Sequence, residues 1–483
     1  MSMTVKSRFF GVAHSVNICL KRAIFLTLLL SALLLPTKSV FAGAFGLRDI
    51  SAQGEGVALA GAAAGGAGLG SIYFNPATIT QFDGIQAHLN STLFLPHAEM
   101  SLKSDSSPAY ANYTNFMGGS PSSGNIGLVG AVPSTQVTYR LNSDLWLGLS
   151  FFAPYGQATK ADPLFVGRVY GSTTRVASAE VEPIIGYRLT DRLSLGFGLR
   201  YLDFSARYSS AVPAAVSPDQ WRVLGIDGGG QAFGFTLGTL YKPWEGTEIG
   251  FGYRSETSVK LDGTFFGGGA LAGNFGGSAA LAAATLDQPV KMTLQLPRSY
   301  TLGLKQQINA DWTALAAFEY VQWSSLKSPQ VSYAQSGSSL AASWTAGQSH
   351  LALPSIPLYY RDSWFASAGA EYRASDTTQW RAGLAYEKTP LAVHSQSTRL
   401  PDFNRIWASL GLTYQLSPQW SMDLAYLHIF MLGNSLKIDP NSVTYSQNLG
   451  AAGLGTLSAK VNNRVEIVSL GLRYKFTTGA GLQ

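Results

Sequence analysis

The sequence predicts an all-β chain: a 14-stranded antiparallel transmembrane β-barrel plugged by a small N-terminal hatch. Three observations predict it. Charged residues make up 13% of the 483, about half the roughly 25% of an ordinary soluble domain. The hydrophobic period is two along most of the length, and short polar turns recur at wide spacing. A mean hydropathy of +0.10 argues against a polytopic helical protein, whose spans each need about 20 mostly apolar residues. The 10 Trp, 22 Tyr and 25 Phe argue against a disordered chain.

Residues 1–42 have the three parts of a secretory signal. Lys21 and Arg22 form the positive flank, Ala23 to Leu35 a 13-residue apolar run, and Val40-Phe41-Ala42 the small-residue cleavage site. Thirteen residues are short for the competing reading, a membrane anchor. The single cysteine, Cys19, precedes the apolar run, so the mature chain has no thiol. The net charge of +6 also resides here: Lys6, Arg8, Lys21, Arg22 and Lys38 precede residue 43, and no acid does. Without them the balance is 29 basic to 28 acidic residues, and no basic stripe remains to suggest nucleic acid.

Residues 43–82, the hatch, are rich in glycine and small residues and lack strand periodicity, as suits a segment that fills a lumen. Residues 83–476 alternate. Leu193, Leu195, Phe197, Leu199 and Tyr201 face one way, and Ser194, Gly196, Gly198 and Arg200 the other. Val468, Leu470, Leu472, Tyr474 and Phe476 repeat the pattern. An apolar face ending in aromatics, backed by glycine, serine and cations, suits lipid outside and a polar lumen inside. Turns at 141–144, 189–192, 242–246, 308–311, 374–377 and 416–418 are separated by about 40 to 70 residues, room for two strands of about 10 residues and a long loop. With both barrel ends on the periplasmic side, six such turns join twelve strands and the terminal strands make fourteen. Closure is required because an open edge in lipid leaves backbone groups unpaired.

Residues 263–286 carry no charge and seven glycines, too many for a transmembrane helix. They read as an apolar extracellular loop, and exposed apolar surface marks a binding site. Residues 477–483 form a tail after the last strand.

The leading segment resembles a known family. Residues 45–54 (FGLRDISAQG), Ala60-Gly61-Ala62-Ala63 and Asn75-Pro76-Ala77 are similar to the hatch of the FadL-type outer-membrane transporters. Further points of resemblance are Asn125-Ile126, Val132-Pro133, Leu296-Pro297 with Trp312 and Trp323, Arg361-Asp362 and residues 401–407 (PDFNRIW). It departs at Gly65-Gly66-Ala67-Gly68, where the family often has an acidic pair, and at the residues following Phe476. The resemblance implies a monomeric 14-stranded barrel in the outer membrane of a Gram-negative bacterium. It implies passive uptake of long-chain fatty acids or related hydrocarbons, captured at outer loops and released sideways through a kinked third strand. Asn75, Pro76 and Ala77 would contact the barrel wall, and Pro154, Tyr155 and Gly156 would form the kink. Proline cannot donate to a ladder and glycine in a strand marks a bulge; an ordinary strand end is the alternative for Pro154.

No catalytic constellation, metal spacing or cofactor motif stands out, so neither an enzyme nor a cofactor is expected. Phe265, Phe266, Leu271 and Phe275 are the candidate ligand groove. Arg200 is the candidate partner for a carboxylate, since its planar fork bonds both oxygens, or else one lumen cation among many. Expected partners are hydrophobic small molecules, outer-membrane lipid and lipopolysaccharide, and the barrel-assembly machinery. The other functional class is a general porin, or a structural barrel acting as an adhesin or receptor.

Overall fold

The structure, a computed structural model, describes residues 45–211, 213, 216–221, 223–266, 288–326, 329, 331–333, 358–446 and 455–477. The signal segment with Cys19, the groove candidates Leu271 and Phe275, and residues 478–483 lie outside these.

Fourteen antiparallel strands close into one barrel. They are β1 (Ile85–Leu102), β2 (Gly130–Arg140), β3 (Leu145–Phe152), β4 (Thr173–Arg188), β5 (Leu193–Ala211), β6 (Val223–Tyr241) and β7 (Thr247–Arg254, resuming Thr257–Phe266). There follow β8 (Gln288–Leu296, resuming Ser299–Gln307), β9 (Trp312–Val321), β10 (Ser363–Arg373), β11 (Thr378–Glu387), β12 (Arg405–Gln415), β13 (Trp420–Met431) and β14 (Leu457–Phe476). Each pairs with its neighbours in sequence, and β14 pairs with both β13 and β1, from Ile85↔Phe476 to Leu102↔Ala459. The cylinder is therefore closed from its first strand to its last. All six anticipated turns join consecutive strands. Several strands are longer than a membrane requires: β5 and β6 have 19 residues and β14 has 20, against about 10 needed to cross.

The outward faces are apolar, with Leu195, Phe197, Leu199, Val468 and Leu470 all exposed. Aromatics mark two levels. Trp312 lies 4.7 Å from Tyr372, and Trp420 4.6 Å from Tyr474, beside the short turns. Tyr253, Tyr300, Tyr320, Trp364 and Tyr386 form the other level, with Tyr253–Tyr300 at 5.2 Å and Trp364–Tyr386 at 5.0 Å. Trp364 and Tyr372 share one face of β10, eight residues apart. That is about 26 Å along a tilted strand, the scale of a barrel's lipid-facing band.

Inward faces differ between the two halves, which corrects the expectation of a polar lumen. Near the short turns they are polar, with Ser194, Arg381, Thr413, Asp423 and Ser469 buried. Toward the long loops they become apolar: Leu202 and Phe204 on β5, Val259 and Leu261 on β7, Val290 to Leu296 on β8, Val465 and Ile467 on β14. The strand pattern also corrects the loop at 263–286, because Gly263 to Phe266 belong to β7 and pair with β6.

Residues 45–82 lie against these inward faces as short helical turns: α1 (Ala52–Gly56), α2 (Ser71–Phe74) and 3-10 turns at Ala62–Ala64, Gly68–Gly70 and Pro76–Gln81. Almost every residue there is buried. Glycines on the wall make the close approach possible. A Cβ on Gly238 would collide with Asn75, one on Gly250 with the Ala63 carbonyl, and one on Gly383 with the Val57 backbone.

Candidate functional site

Strand 3 breaks where its sequence has Ala153-Pro154-Tyr155. β3 pairs with β4 up to Phe152↔Glu180, and the strand resumes as Gly156–Lys160 from Gly156↔Ala177. Three residues therefore stand opposite two, Ser178 and Ala179, which is the geometry of a bulge. Proline contributes by lacking an N–H. The broken backbone finds partners inside the barrel. Leu47 N donates to Pro154 O at 2.8 Å, and Gly156 N to Phe45 O at 2.8 Å. Tyr155 N donates to Ser178 Oγ at 2.9 Å, which in turn donates to Tyr155 O at 2.8 Å.

The wall is interrupted beside this break. β2 and β3 are paired from Arg140↔Trp146 to Thr135↔Phe151 and no further. The segment before β2 and the resumed strand meet again at the bridge Gly127↔Thr159, at Lys160 N–Ile126 O, 2.9 Å, and at Leu128 N–Ala158 O, 3.4 Å. Between these points Gly130 to Ser134 pair with β1 alone. Leu128 and Val129 are exposed at the margin.

An aromatic cluster lies directly inside. The Phe45 ring sits 5.2 Å from Trp323, 5.8 Å from Tyr155, 6.3 Å from Phe204 and 6.5 Å from Tyr360. Tyr73 packs edge-on to Phe152 at 4.6 Å. A charged layer lies next to this cluster. Arg200 holds Glu180 bidentately, Nε–Oε1 at 2.9 Å and Nη2–Oε2 at 2.8 Å, and donates to Ser255 O at 3.0 Å. Arg254 bonds Glu180, Glu182 at 3.3 Å and Tyr73 O at 3.0 Å, with its guanidinium 4.1 Å from the Tyr73 ring. Arg48 bonds Glu319 and, at 2.9 Å, Glu387, which also pairs with Arg405 at 3.2 Å.

Asn75 is fully buried and starts the Pro76–Gln81 turn: its Oδ1 accepts from Ala77 N at 3.0 Å. Its Nδ2 donates to Ala63 O at 2.7 Å and to Thr239 O of the wall at 2.8 Å. Pro76 at the first helical position needs no N–H there, and Pro76 and Ala77 abut Gly196.

Arg200 faces inward as its periodicity predicts, but its fork is already bound to Glu180. A ligand carboxylate would have to displace that pair. Phe265 and Phe266 do not act together, because successive residues of a strand point to opposite faces. Phe265 is buried inside, while the Phe266 ring lies under the Arg207 guanidinium at 4.2 Å. Sequence reasoning did not bring Phe45, Trp323 and Tyr360 together, because they are far apart in the chain. It also missed an exposed apolar patch of Phe116, Met117, Leu164 and Val216 over the helix Pro108–Phe116. Leu164 is tied to the segment after that helix through Ser120 N–Leu164 O at 2.8 Å. Val216 O accepts from the Trp221 indole at 3.2 Å, and Trp221 packs 4.9 Å from Tyr113 of the helix.

Comparison with known proteins agrees with this architecture. The family described as outer membrane protein transport protein (OMPP1/FadL/TodX) matches residues 33–476. A long-chain fatty acid transport protein of Escherichia coli O6:H1 is 26% identical over 428 residues, covering 82% of this chain and 89% of the relative. Outer membrane protein P1 of Haemophilus influenzae is 24% identical, covering 83% and 89%. Among solved structures, a Pseudomonas aeruginosa FadL homologue superposes with a TM-score of 0.74 at 22% identity, over 90% of this chain and all of that one. The Ralstonia pickettii toluene transporter TbuX does so with a TM-score of 0.58 at 18% identity, over 89% and 99%. With a family match over residues 33–476 and a barrel that superposes on theirs, this chain belongs to the OMPP1/FadL/TodX family of outer-membrane transport proteins.

Proposed function

We propose that the protein takes up hydrophobic compounds, long-chain fatty acids or related hydrocarbons, passively across the outer membrane and releases them sideways through the interruption at Ala153–Gly156. The observation that carries this reading is that break in the wall, beside an aromatic cluster and a charged layer. An apolar ligand is stabilised among Phe45, Tyr155, Phe204, Trp323 and Tyr360 and opposed by the ion pairs and the packed N-terminal segment. The gap between β2 and β3 offers it lipid without an aqueous lumen. Each methylene moved out of water gains about 0.8 kcal/mol, so no energy source is needed.

In this reading residues 43–82 act as the hatch, Asn75, Pro76 and Ala77 fix it to the wall, and the patch around Phe116 captures ligand. The relatives whose names specify a fatty acid or toluene support the ligand class. The chain is exported on its signal, inserted by the barrel-assembly machinery and works as a monomer among outer-membrane lipid and lipopolysaccharide.

Deleting Pro154 removes the extra residue and lets strand 3 pair continuously. Uptake of oleate and of toluene by cells is expected to drop to background while the barrel stays folded, as read from its heat-dependent gel mobility. Undiminished uptake by the folded deletion would overturn lateral release. Parallel oleate and toluene measurements on the wild type separate the two ligand classes. A steady, pH-independent ion conductance in planar bilayers would favour the porin instead.

A further inference from the structure

We infer that Glu55 and Asp49 form a proton-operated clip holding the N-terminal segment to the seam where the barrel closes. The seam is the pairing of β1 with β14, and there Thr92 stands opposite Ser469. α1 lies over that pair. Ala52 N donates to Asn90 Oδ1 at 2.9 Å. Glu55, fully buried, meets Thr92 Oγ1 at 2.9 Å through one oxygen and Ser469 Oγ through the other. Ser469 Oγ also lies 2.9 Å from Thr92 Oγ1, and Thr92 Oγ1 lies 3.3 Å from the Asp49 carbonyl oxygen.

Counting hydrogens shows what these contacts need. Each hydroxyl owns one hydrogen and an ionised carboxylate owns none, so two hydrogens serve four contacts. With Glu55 protonated, its O–H donates to Ser469, Ser469 donates to Thr92, and Thr92 donates to the other Glu55 oxygen or to Asp49 O. One more contact becomes a hydrogen bond.

A second observation is independent of that count. Asp49 is 2% exposed, and neither of its carboxylate oxygens has a hydrogen-bond partner; the Arg48 charge and the backbone amides of Arg48 and Asp49 ease its charge only in part. Burial pushes Asp49 up to about 7. Burial, with the Asp49 charge added, holds Glu55 well above the usual carboxylate range. Arg48 is adjacent, but its guanidinium is engaged by Glu319 of β9 and Glu387 of β11, and the Glu387 charge opposes ionisation of Asp49.

The other charged or titratable groups on the surrounding wall are partnered. His88 of β1 bonds Gln136 at 2.8 Å. Asp423 of β13 pairs with Arg473 of β14 at 2.9 Å, and Arg381 of β11 pairs with Glu371 of β10 at 2.7 Å.

Both acids keep their protons more tightly when seated than when released to water. Seating is therefore strongest below about pH 4, the ordinary carboxylate range. For Asp49 it weakens as pH rises to about 7, and for Glu55 as pH rises toward that group's own raised value. This does not depend on what the barrel carries. Planar-bilayer recordings of the mature protein at pH 5, 7 and 9 test it. Brief openings are expected to become more frequent with pH, by up to about tenfold per unit while one proton is released. Glu55→Gln is expected to lose the Glu55 share and keep only a smaller response from Asp49, and His88→Gln to keep the wild-type response. A flat wild-type record, a wild-type response retained by Glu55→Gln, or loss of the response in His88→Gln would each overturn the clip. If Glu55→Gln does not assemble, Ser469→Ala, which removes one hydrogen of the chain, is expected to shift the midpoint. An unshifted midpoint counts against the proposal.

Discussion

Arg200 shows how much a residue's role depends on what stands across from it. Its place on the inward face of β5 is set by alternation, yet its partner is Glu180 of β4, and both are almost completely buried. Removing one member of a buried pair typically costs about 3–5 kcal/mol, because the other charge is left uncompensated. Arg254 still holds Glu180, which places Arg200→Gln near the low end of that range. Unfolding of the purified barrel in detergent measures the loss, and adding Glu180→Gln should recover much of it. A single variant as stable as wild type would show that the pair is not structural.

At the scale of elements, β7 and strand 3 illustrate two kinds of local signal. In β7 the alternation continues into an uncharged stretch whose glycines suggested a loop, because pairing with β6 outweighs the low strand propensity of glycine. It follows that Phe265 and Phe266 respond differently to the same change. Phe265→Asp buries an unpaired carboxylate and should sharply reduce the yield of folded barrel, whereas Phe266→Asp should be tolerated on the outer face. Equal yields on a heat-modifiability gel would contradict the assigned register. In strand 3, proline and glycine marked the break, but beside Ser178 of β4 its hydrogen-bond partners are Phe45 and Leu47, about a hundred positions earlier.

For the whole molecule, what matters is how closely the N-terminal segment meets the wall. Gly196, Gly238, Gly250 and Gly383 of the wall face that segment, whose backbone or side chains lie where a Cβ would be. The sequence displays them only as gaps in an apolar alternation, easily taken for a water-lined face. Gly238→Val should push Asn75 off the Thr239 carbonyl and leave the bore leaky. Steady ion conductance at pH 5 from a barrel that still folds is the expected reading, and a quiet channel would show that the segment is held elsewhere. By itself the sequence determined the strand period, the six short turns, the number of strands and hence the closed barrel, because these follow from the preferences of residues next to one another. Only the tertiary structure decided that Arg200 belongs to Glu180, that Phe45 meets Trp323 and Tyr360, and that Glu55 rests on Thr92 and Ser469. Those pairings join positions tens to hundreds of residues apart, and closing the cylinder, not any local preference, brings them into contact.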